Sequence, residues 1–450
     1  MTQGAQLELA VERMTYGPDA IAHTDDGLAV FVEGAVAGDR VLATVDKVTD
    51  RWAHARTTQV VEAGPDRVAP ACPYVGACGG CPWGALSYPA QARAKRDSVV
   101  GAIARIGLMG HDEAEALVAP VESPSDPWGY RNKVELAVVR DRGRLSCGMH
   151  ATRGGVVRVD GCALLDARFA KAVKSVSGAL NYLMGHGGAE LERVGIRASR
   201  RTKDVEVALW DRPGPFPRAQ AAKVLEDACR PTSVVRVLQK GQGKARKIAG
   251  VECLSGAGSW GELVGDERMR VSAPSFFQVN TRGAERLVEL VLEGLDPQPD
   301  EEAMDLYCGA GTFTLPLARR AAFVSAVESY GPAVRDLRRN LDAAGIDNAD
   351  PIGGDAGREF PGTDADVIVV DPPRAGLAPD VVAQLGEQPA RAIAYVSCDP
   401  ATLARDLARF REQGAFEPVR VTPVDLFPQT FHVETVALLS RKTASKSFIP

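Results

Sequence analysis

Apolar and polar positions follow three rhythms along this chain, and each rhythm predicts a different kind of unit. Over residues 1–64 the apolar positions recur in short alternating runs. Leu28-Ala29-Val30-Phe31-Val32 and Asp39-Arg40-Val41-Leu42-Ala43-Thr44-Val45 are examples, bounded by turns at Asp26-Gly27, Gly34 and Gly38-Asp39. Half-buried strands carry this period because successive side chains point to opposite faces. Several short strands in so few residues predict a small β-barrel of the oligonucleotide-binding type. Residues 65–265 are mixed. A Pro-, Gly- and Cys-rich stretch (Pro65 to Pro89) leads into a helix over Ala90 to Ile106. Strands (Lys133 to Val139, Val205 to Trp210, Ser233 to Leu238) then alternate with helical stretches such as Ala167 to Leu183, which predicts an α+β central domain. Over residues 266–450 the alternation becomes strict. Helix (Thr281 to Leu295), strand (Glu302 to Leu306), helix (Phe313 to Arg320), strand (Phe323 to Glu328) and helix (Ala333 to Ala344) precede the strand Val367 to Val370. Such alternation predicts a doubly wound, mainly parallel sheet. The expected fold is multidomain α/β.

Bulk composition narrows this only modestly. The chain has 450 residues, 45% of them hydrophobic and 25% charged, which suits a globular protein with several cores. Met1 to Ala10 show no basic and apolar leader pattern, and no run of about 18 apolar residues occurs, so a cytoplasmic chain is expected. A net charge of −5 does not advertise a polyanionic partner. Two local patches do: Arg236, Lys240, Lys244, Arg246 and Lys247, and Arg197, Arg200, Arg201 and Lys203. Each fits solvated loop charge as well as contacts to nucleic-acid phosphates. Nine cysteines, an odd number, point to metal ligation and catalysis rather than a disulfide framework.

The candidate chemistry lies at the ends of the predicted C-terminal strands. An apolar strand over Ala392 to Val396 stops at Ser397-Cys398-Asp399-Pro400, which would present a thiol at the carboxyl edge of the sheet. A second apolar segment supplies Glu434, and a nucleophile with a nearby base makes a reaction centre. The turn Asp305-Leu306-Tyr307-Cys308-Gly309-Ala310-Gly311-Thr312-Phe313 contains Gly-x-Gly but not the third glycine of the dinucleotide fingerprint. Glu328 ends the next strand, 17 residues past Gly311, where an acidic group would accept hydrogen bonds from ribose hydroxyls. This combination favours S-adenosylmethionine over NAD. Asp371-Pro372-Pro373 stiffens the exit of another buried strand and holds Asp371 at the sheet edge.

Five ordered segments resemble the RNA uracil-C5 methyltransferases, which make 5-methyluridine: Phe276-Phe277-Gln278-Val279-Asn280, Asp305 to Phe313, Asp371 to Gly376, Ser397-Cys398-Asp399-Pro400 and His432-Val433-Glu434. The N-terminal barrel resembles the TRAM domain of the ribosomal-RNA branch. Asp399 stands where asparagine is common in the family. The resemblance implies a Rossmann-like class I methyltransferase domain after the TRAM barrel and central domain. It also implies cofactor contacts from Gln278, Tyr307, Glu328 and Asp371, with Thr312 and Asp355 added by position. RNA is the implied partner, with 23S ribosomal RNA favoured over transfer RNA, and a monomer is expected.

The reaction explains these residue types. C5 of uracil is a poor nucleophile until a thiolate adds at C6 and creates an enolate. The C5 proton must then leave so that the thiolate can be eliminated. Cys398 is assigned as nucleophile and Glu434 as base. A site that lowers the Cys398 pKa, or deprotonates it on substrate binding, is expected.

Cys72-x5-Cys78-x2-Cys81, set among glycines and prolines, forms a compact candidate metal loop. Cys162 is the candidate fourth ligand and Cys147 competes with it. Three clustered cysteines plus a distant one fit a [4Fe–4S] cluster better than zinc, which usually shows paired cysteines. The resemblance implies the same cluster.

Overall fold

The structure, a computed structural model, describes residues 1–141, 144–185, 191–241 and 247–442. Alternating burial closes the first strands into a barrel. β1 (Gln6–Met14), β2 (Ala20–His23), β3 (Ala29–Glu33), β4 (Arg40–Val48) and β5 (Trp52–Glu62) pair in the order β1-β2-β3-β5-β4, and β4 returns to β1. β3 and β5 run parallel, as a five-stranded Greek-key barrel of the oligonucleotide-binding type requires. Val30, Val32, Val41, Ala43, Ala53 and Ala55 fill its interior. Trp83 and Leu86, from the segment that follows, are buried in the same core.

Two helices come next, α1 (Tyr88–Arg105) and α2 (His111–Leu117). A mixed seven-stranded sheet is then built from β6 (Lys133–Asp141), β7 (Arg144–His150), β8 (Val156–Val157), β9 (Arg193–Ala198), β10 (Val205–Asp211), β11 (Ser233–Lys240) and β12 (Lys247–Gly256). Helices α3 (Ala172–Gly185) and α4 (Arg218–Cys229) share its apolar core. The helix expected from Ala167 starts five residues later. Asp166 accepts the backbone N–H of Arg168 at 3.0 Å and holds that stretch in a turn, a local bond that competes with helix.

Each predicted basic patch contains one arginine that is structural. Arg197 is 3% exposed and donates to the carbonyls of Ser272 and Ser275. Arg236 is 1% exposed and pairs with Asp211 at 2.7 Å. Both were read as loop or phosphate-contacting charge, whereas each sits in a strand with its partner carboxylate or carbonyl on a neighbouring element. Lys240 and Lys247 are exposed, and Lys244 and Arg246 lie outside the described residues.

After a hairpin, β13 (Trp260–Val264) and β14 (Glu267–Val271), comes the strictly alternating part. It comprises α5 (Thr281–Leu295), β15 (Glu302–Leu306), α6 (Thr314–Ala318), β16 (Phe323–Glu328), α7 (Gly331–Ala344) and β17 (Ala349–Gly353). β18 (Val367–Val370), α8 (Pro379–Glu387), β19 (Ala392–Ser397), α9 (Pro400–Gln413), β20 (Phe416–Val424) and β21 (Glu434–Arg441) complete it. The sheet order is β17-β16-β15-β18-β19-β21-β20, with only the β21 pairings antiparallel. Apolar cores lie on both faces. The strand order reverses between β15 and β18, so their carboxyl ends open the crevice where such sheets bind ligands. Among the described residues no helix is long and apolar enough to cross a membrane.

Candidate active site

Cys398 follows β19 directly, and Glu434 is the first residue of β21 rather than the end of the apolar segment before it. The two strands are antiparallel neighbours with Ser397 opposite Thr435, so nucleophile and carboxylate meet at one sheet edge. Asp371 joins them from the end of β18, the other neighbour of β19, and its backbone N–H donates to Leu306 O at 3.1 Å. Asp399 caps α9, its Oδ1 accepting from Ala401 N at 3.0 Å and Thr402 N at 3.1 Å, and Pro400 occupies the first turn. Asn and Asp serve equally well as N-caps, each worth about 1 kcal/mol over alanine, so the aspartate satisfies this position.

The electrostatics are dominated by burial. Burial pushes the Cys398 thiol up to about 11, and Glu434, Asp371 and Asp399 add to it while Arg374 opposes. The pKa-lowering route expected from sequence is therefore absent in the resting site, where Cys398 is a thiol. Burial and then Asp371 hold the Glu434 carboxyl well above the usual range, again against Arg374. Burial, Asp305 and Glu328 push Asp371 up to about 8. These are acids gathered in one desolvated place, with Arg374 as the facing cation.

Sequence reasoning missed three residues here. Arg374 lay within a quoted motif but carried no assigned role; its guanidinium lies 2.9 Å from His432 Nδ1. Burial and Arg374 hold His432 down at about 4, so it is neutral at physiological pH. Tyr16, from the loop between β1 and β2 of the barrel, donates its hydroxyl to Cys398 O at 3.4 Å and packs edge-on against Phe431. No sequence signal marks Tyr16.

The segment leading to Glu434 is clamped by α1 and its flanks. Lys95 and Asp425 form a fully buried ion pair at 2.6 Å, and Lys95 also donates to Phe427 O. Gln429 has φ +71°, a backbone region costly for residues other than glycine. Gln91 Oε1 accepts Gln429 N at 2.8 Å, and Trp83 N donates to Gln429 O at 3.1 Å. Tyr130 Oη donates to Pro428 O at 3.1 Å. These bonds over-determine a strained turn three residues before His432, a pattern that accompanies functional geometry.

Of the predicted cofactor residues, Tyr307 and Asp371 stand at the β15 and β18 ends of the crevice, and Glu328 and Asp355 lie beside the Tyr307 turn. Glu328 accepts Gly309 N at 3.0 Å and Tyr330 N at 2.6 Å, fixing the turn after β15. Tyr307 takes φ +66° in that turn and feels Asp355, which with burial pushes its hydroxyl up to about 12. Asp355 is exposed and caps its own turn through Gly357 N. Gln278 is buried; its backbone oxygen accepts Asn132 Nδ2 at 2.9 Å while its Oε1 has no partner. Asp305 Oδ1 is likewise unpartnered, although Oδ2 accepts Thr314 Oγ1 at 2.6 Å. Thr312 is placed apart, lining a cavity of about 350 Å³ with the β13–β14 hairpin and α5. Phe276 is 69% exposed beside the buried Phe277 and Gln278.

Cys72, Cys78, Cys81 and Cys162 line one small cavity with Tyr74, Met149 and Arg131. Cys147 is buried in the core of the central sheet. Among the described residues no three His, Cys, Asp or Glu side chains are drawn in as closely as a single ion needs, since zinc holds sulfur at about 2.3 Å. The shared cavity nevertheless places all four thiols around one space.

Fold and site together define a class I methyltransferase sheet with a half-buried cysteine at its carboxyl edge. The family model for tRNA (uracil-5-)-methyltransferase matches residues 264–360 and 359–442, and the TRAM domain model matches residues 1–58. An uncharacterized RNA methyltransferase of Thermosynechococcus vestitus is 35% identical over 97% of this chain and 98% of its own length. One from Gloeobacter violaceus is also 35% identical, over 98% of each chain. The crystal structure of Pyrococcus abyssi tRNA (uracil-54, C5)-methyltransferase with S-adenosyl-L-homocysteine shares the fold. Its TM-score is 0.74 at 24% identity, covering 96% of this chain and 100% of that one. The chain belongs to the S-adenosylmethionine-dependent RNA uracil-5-methyltransferase family.

Proposed function

We propose that this protein methylates C5 of a uridine in RNA through a covalent bond between Cys398 and C6, with 23S ribosomal RNA as the favoured substrate. The observation that carries the reading is the convergence of Cys398, Glu434 and Asp371 on one sheet edge, beside the Glu328 turn and facing Arg374. A uracil-C5 reaction needs one thiol nucleophile and one base, and exocyclic nitrogen chemistry needs no thiol.

Gln278, Tyr307, Glu328 and Asp371 would hold S-adenosylmethionine, with Asp355 beside Tyr307. The residues fit such a group. Gln278 Oε1 is a buried acceptor awaiting a donor, and a Cβ at Gly309 would meet open space in the turn. When bound, the cofactor supplies an electrophilic methyl group and a sulfonium charge. Cys398, a thiol at rest, gives its proton to solvent water as substrate binds, which leaves Glu434 as a free carboxylate, and the sulfur pair forms the bond to C6. The C5–C6 π pair moves towards O4 as an enolate, which Arg374 favours electrostatically as the facing cation. The enolate makes C5 nucleophilic, and C5 takes the methyl group. Glu434 then removes the C5 proton, and that C–H pair restores the C5–C6 double bond as Cys398 leaves with its sulfur pair. Glu434 acts in this step as its carboxylate, and burial, which raises its pKa, makes that carboxylate the stronger base.

Reaching this pocket requires the uridine to leave its stack, at a cost of a few kcal/mol. The TRAM barrel, which delivers Tyr16 to the Cys398 loop, and the exposed Phe276 are the surfaces on which RNA contacts would offset that cost. We place the protein in the cytoplasm as a monomer, in units of residues 1–64, 65–265 and 266–450. A transfer-RNA uridine is the second reading, favoured by the description of the matched family. Cells lacking the protein should lose one 5-methyluridine from 23S ribosomal RNA while transfer RNA keeps its own. Loss confined to transfer RNA would transfer the assignment to the second reading.

Cys72, Cys78, Cys81 and Cys162 would ligate a [4Fe–4S] cluster that organises the segment between barrel and α1, since the methyl transfer consumes no electrons. Anaerobically purified protein should contain about four iron and four sulfide per chain. Cys162→Ser should lose most of it, and Cys147→Ser should keep it. The opposite pattern would reassign the fourth ligand.

A further inference from the structure

A cleft of about 180 Å³ separates the central sheet from the start of α5, across the 425–432 segment from the reacting centre. Its walls include Trp128, Arg131, Arg200, Arg201 and Arg282. Two of these arginines are already neutralised. Arg200 pairs with Asp166 at 3.2 Å, and Arg201 grips both oxygens of Glu285. Arg131 and Arg282 form no ion pair among the described residues, and Arg131 Nε is buried without a hydrogen-bond partner. Glu262, at the back, is occupied by Ser199, Thr281 and Leu263 N, and burial raises its carboxyl pKa. Asp126, at the rim, is the opposing charge. The N-terminus of the 15-residue helix α5 opens into the same space through Thr281 and Arg282, adding its positive dipole end. One unpartnered guanidinium nitrogen of Arg131, the exposed and unpaired Arg282, a helix N-terminus and an indole in one cleft form a site for a phosphate with an adjoining base.

We propose that this cleft binds a nucleotide of the substrate RNA other than the reacting uridine, its phosphate between Arg131 and Arg282 and its base against Trp128. The proposal rests on the RNA-methyltransferase reading and extends it to a second recognition point. The geometry ties the two points together. Asn280, which lines the cleft, donates to Leu426 O, and Tyr130, also on its wall, donates to Pro428 O. Both acceptors belong to the segment that leads to Glu434. A nucleotide seated here braces that segment while its neighbour occupies the pocket. The structure thus replaces the patch expected over Arg197 to Lys203 with a smaller site using different arginines.

The test uses the full-length protein and a single-stranded oligouridylate, with affinity followed by fluorescence anisotropy over a salt series. Arg282→Gln should weaken binding about tenfold and lower the salt slope by about one, as loss of one phosphate contact predicts. Trp128→Ala should weaken binding by a similar factor with the slope unchanged, as loss of stacking predicts. In methyl transfer both variants should raise KM and leave kcat at saturating RNA near wild type. Arg282 is exposed on the first turn of α5, so its replacement keeps the test available if Trp128→Ala does not fold. Wild-type affinity and slope in Arg282→Gln would overturn the proposal, as would competition by inorganic phosphate as strong as by RNA. A wild-type protein that binds RNA through this cleft but methylates none would overturn the function and leave the cleft standing.

Discussion

Cys398→Ala is expected to abolish methyl transfer, by at least about a thousandfold, while binding of S-adenosylmethionine stays close to wild type. Removing a covalent nucleophile removes the step that makes C5 reactive, and such losses commonly span several powers of ten. The thiol lies one residue beyond β19, half-buried, so its loss leaves the strand pairing intact. Cofactor binding is the control, because the Glu328 turn and Gln278 lie on other elements. A Cys398→Ala protein that still methylates RNA at an appreciable rate would point to an exocyclic nitrogen as the acceptor.

The second large effect is expected at Glu434. Glu434→Gln should slow turnover by about a hundred- to ten-thousandfold, the usual span for a positioned general base. It should also accumulate a methylated RNA–protein adduct that survives denaturation, since Cys398 can still add but the C5 proton cannot leave. The amide matches the carboxyl in size, and burial already favours the uncharged form at this position, so folding should change little. Rapid turnover without any covalent species on a denaturing gel would reject Glu434 as the base.

Much of this was legible in the sequence because the signals are local. The strict helix–strand alternation from about Ser272 is a periodicity, and β15, β16, β18 and α5 fall on their expected residues. Cys398 was legible as a thiol ending an apolar strand, and Glu328 as an acid at the end of the next strand after the glycine turn. What sequence did not reveal depends on neighbours remote in the chain. Tyr16 meets Cys398 across 382 residues, and neither its type nor its surroundings in β1 and β2 signals that contact. Arg197 and Arg236 read as free charge because Glu206 and Asp211, the acids facing them, come from the adjacent strand β10. Thr312 shares the glycine turn with Tyr307 yet faces the other side of it, a distinction that spacing cannot make. The raised pKa values of Cys398, Glu434 and Asp371 arise first from desolvation, which follows from the tertiary arrangement alone.

The central claim is that methyl transfer breaks a C5–H bond of uridine. RNA transcribed with [5-³H]uridine, incubated with the protein and S-adenosylmethionine, tests this most directly. One tritium should be released to water for each methyl group incorporated, with release abolished in Cys398→Ala. Methyl incorporation with tritium fully retained in the RNA would contradict the account.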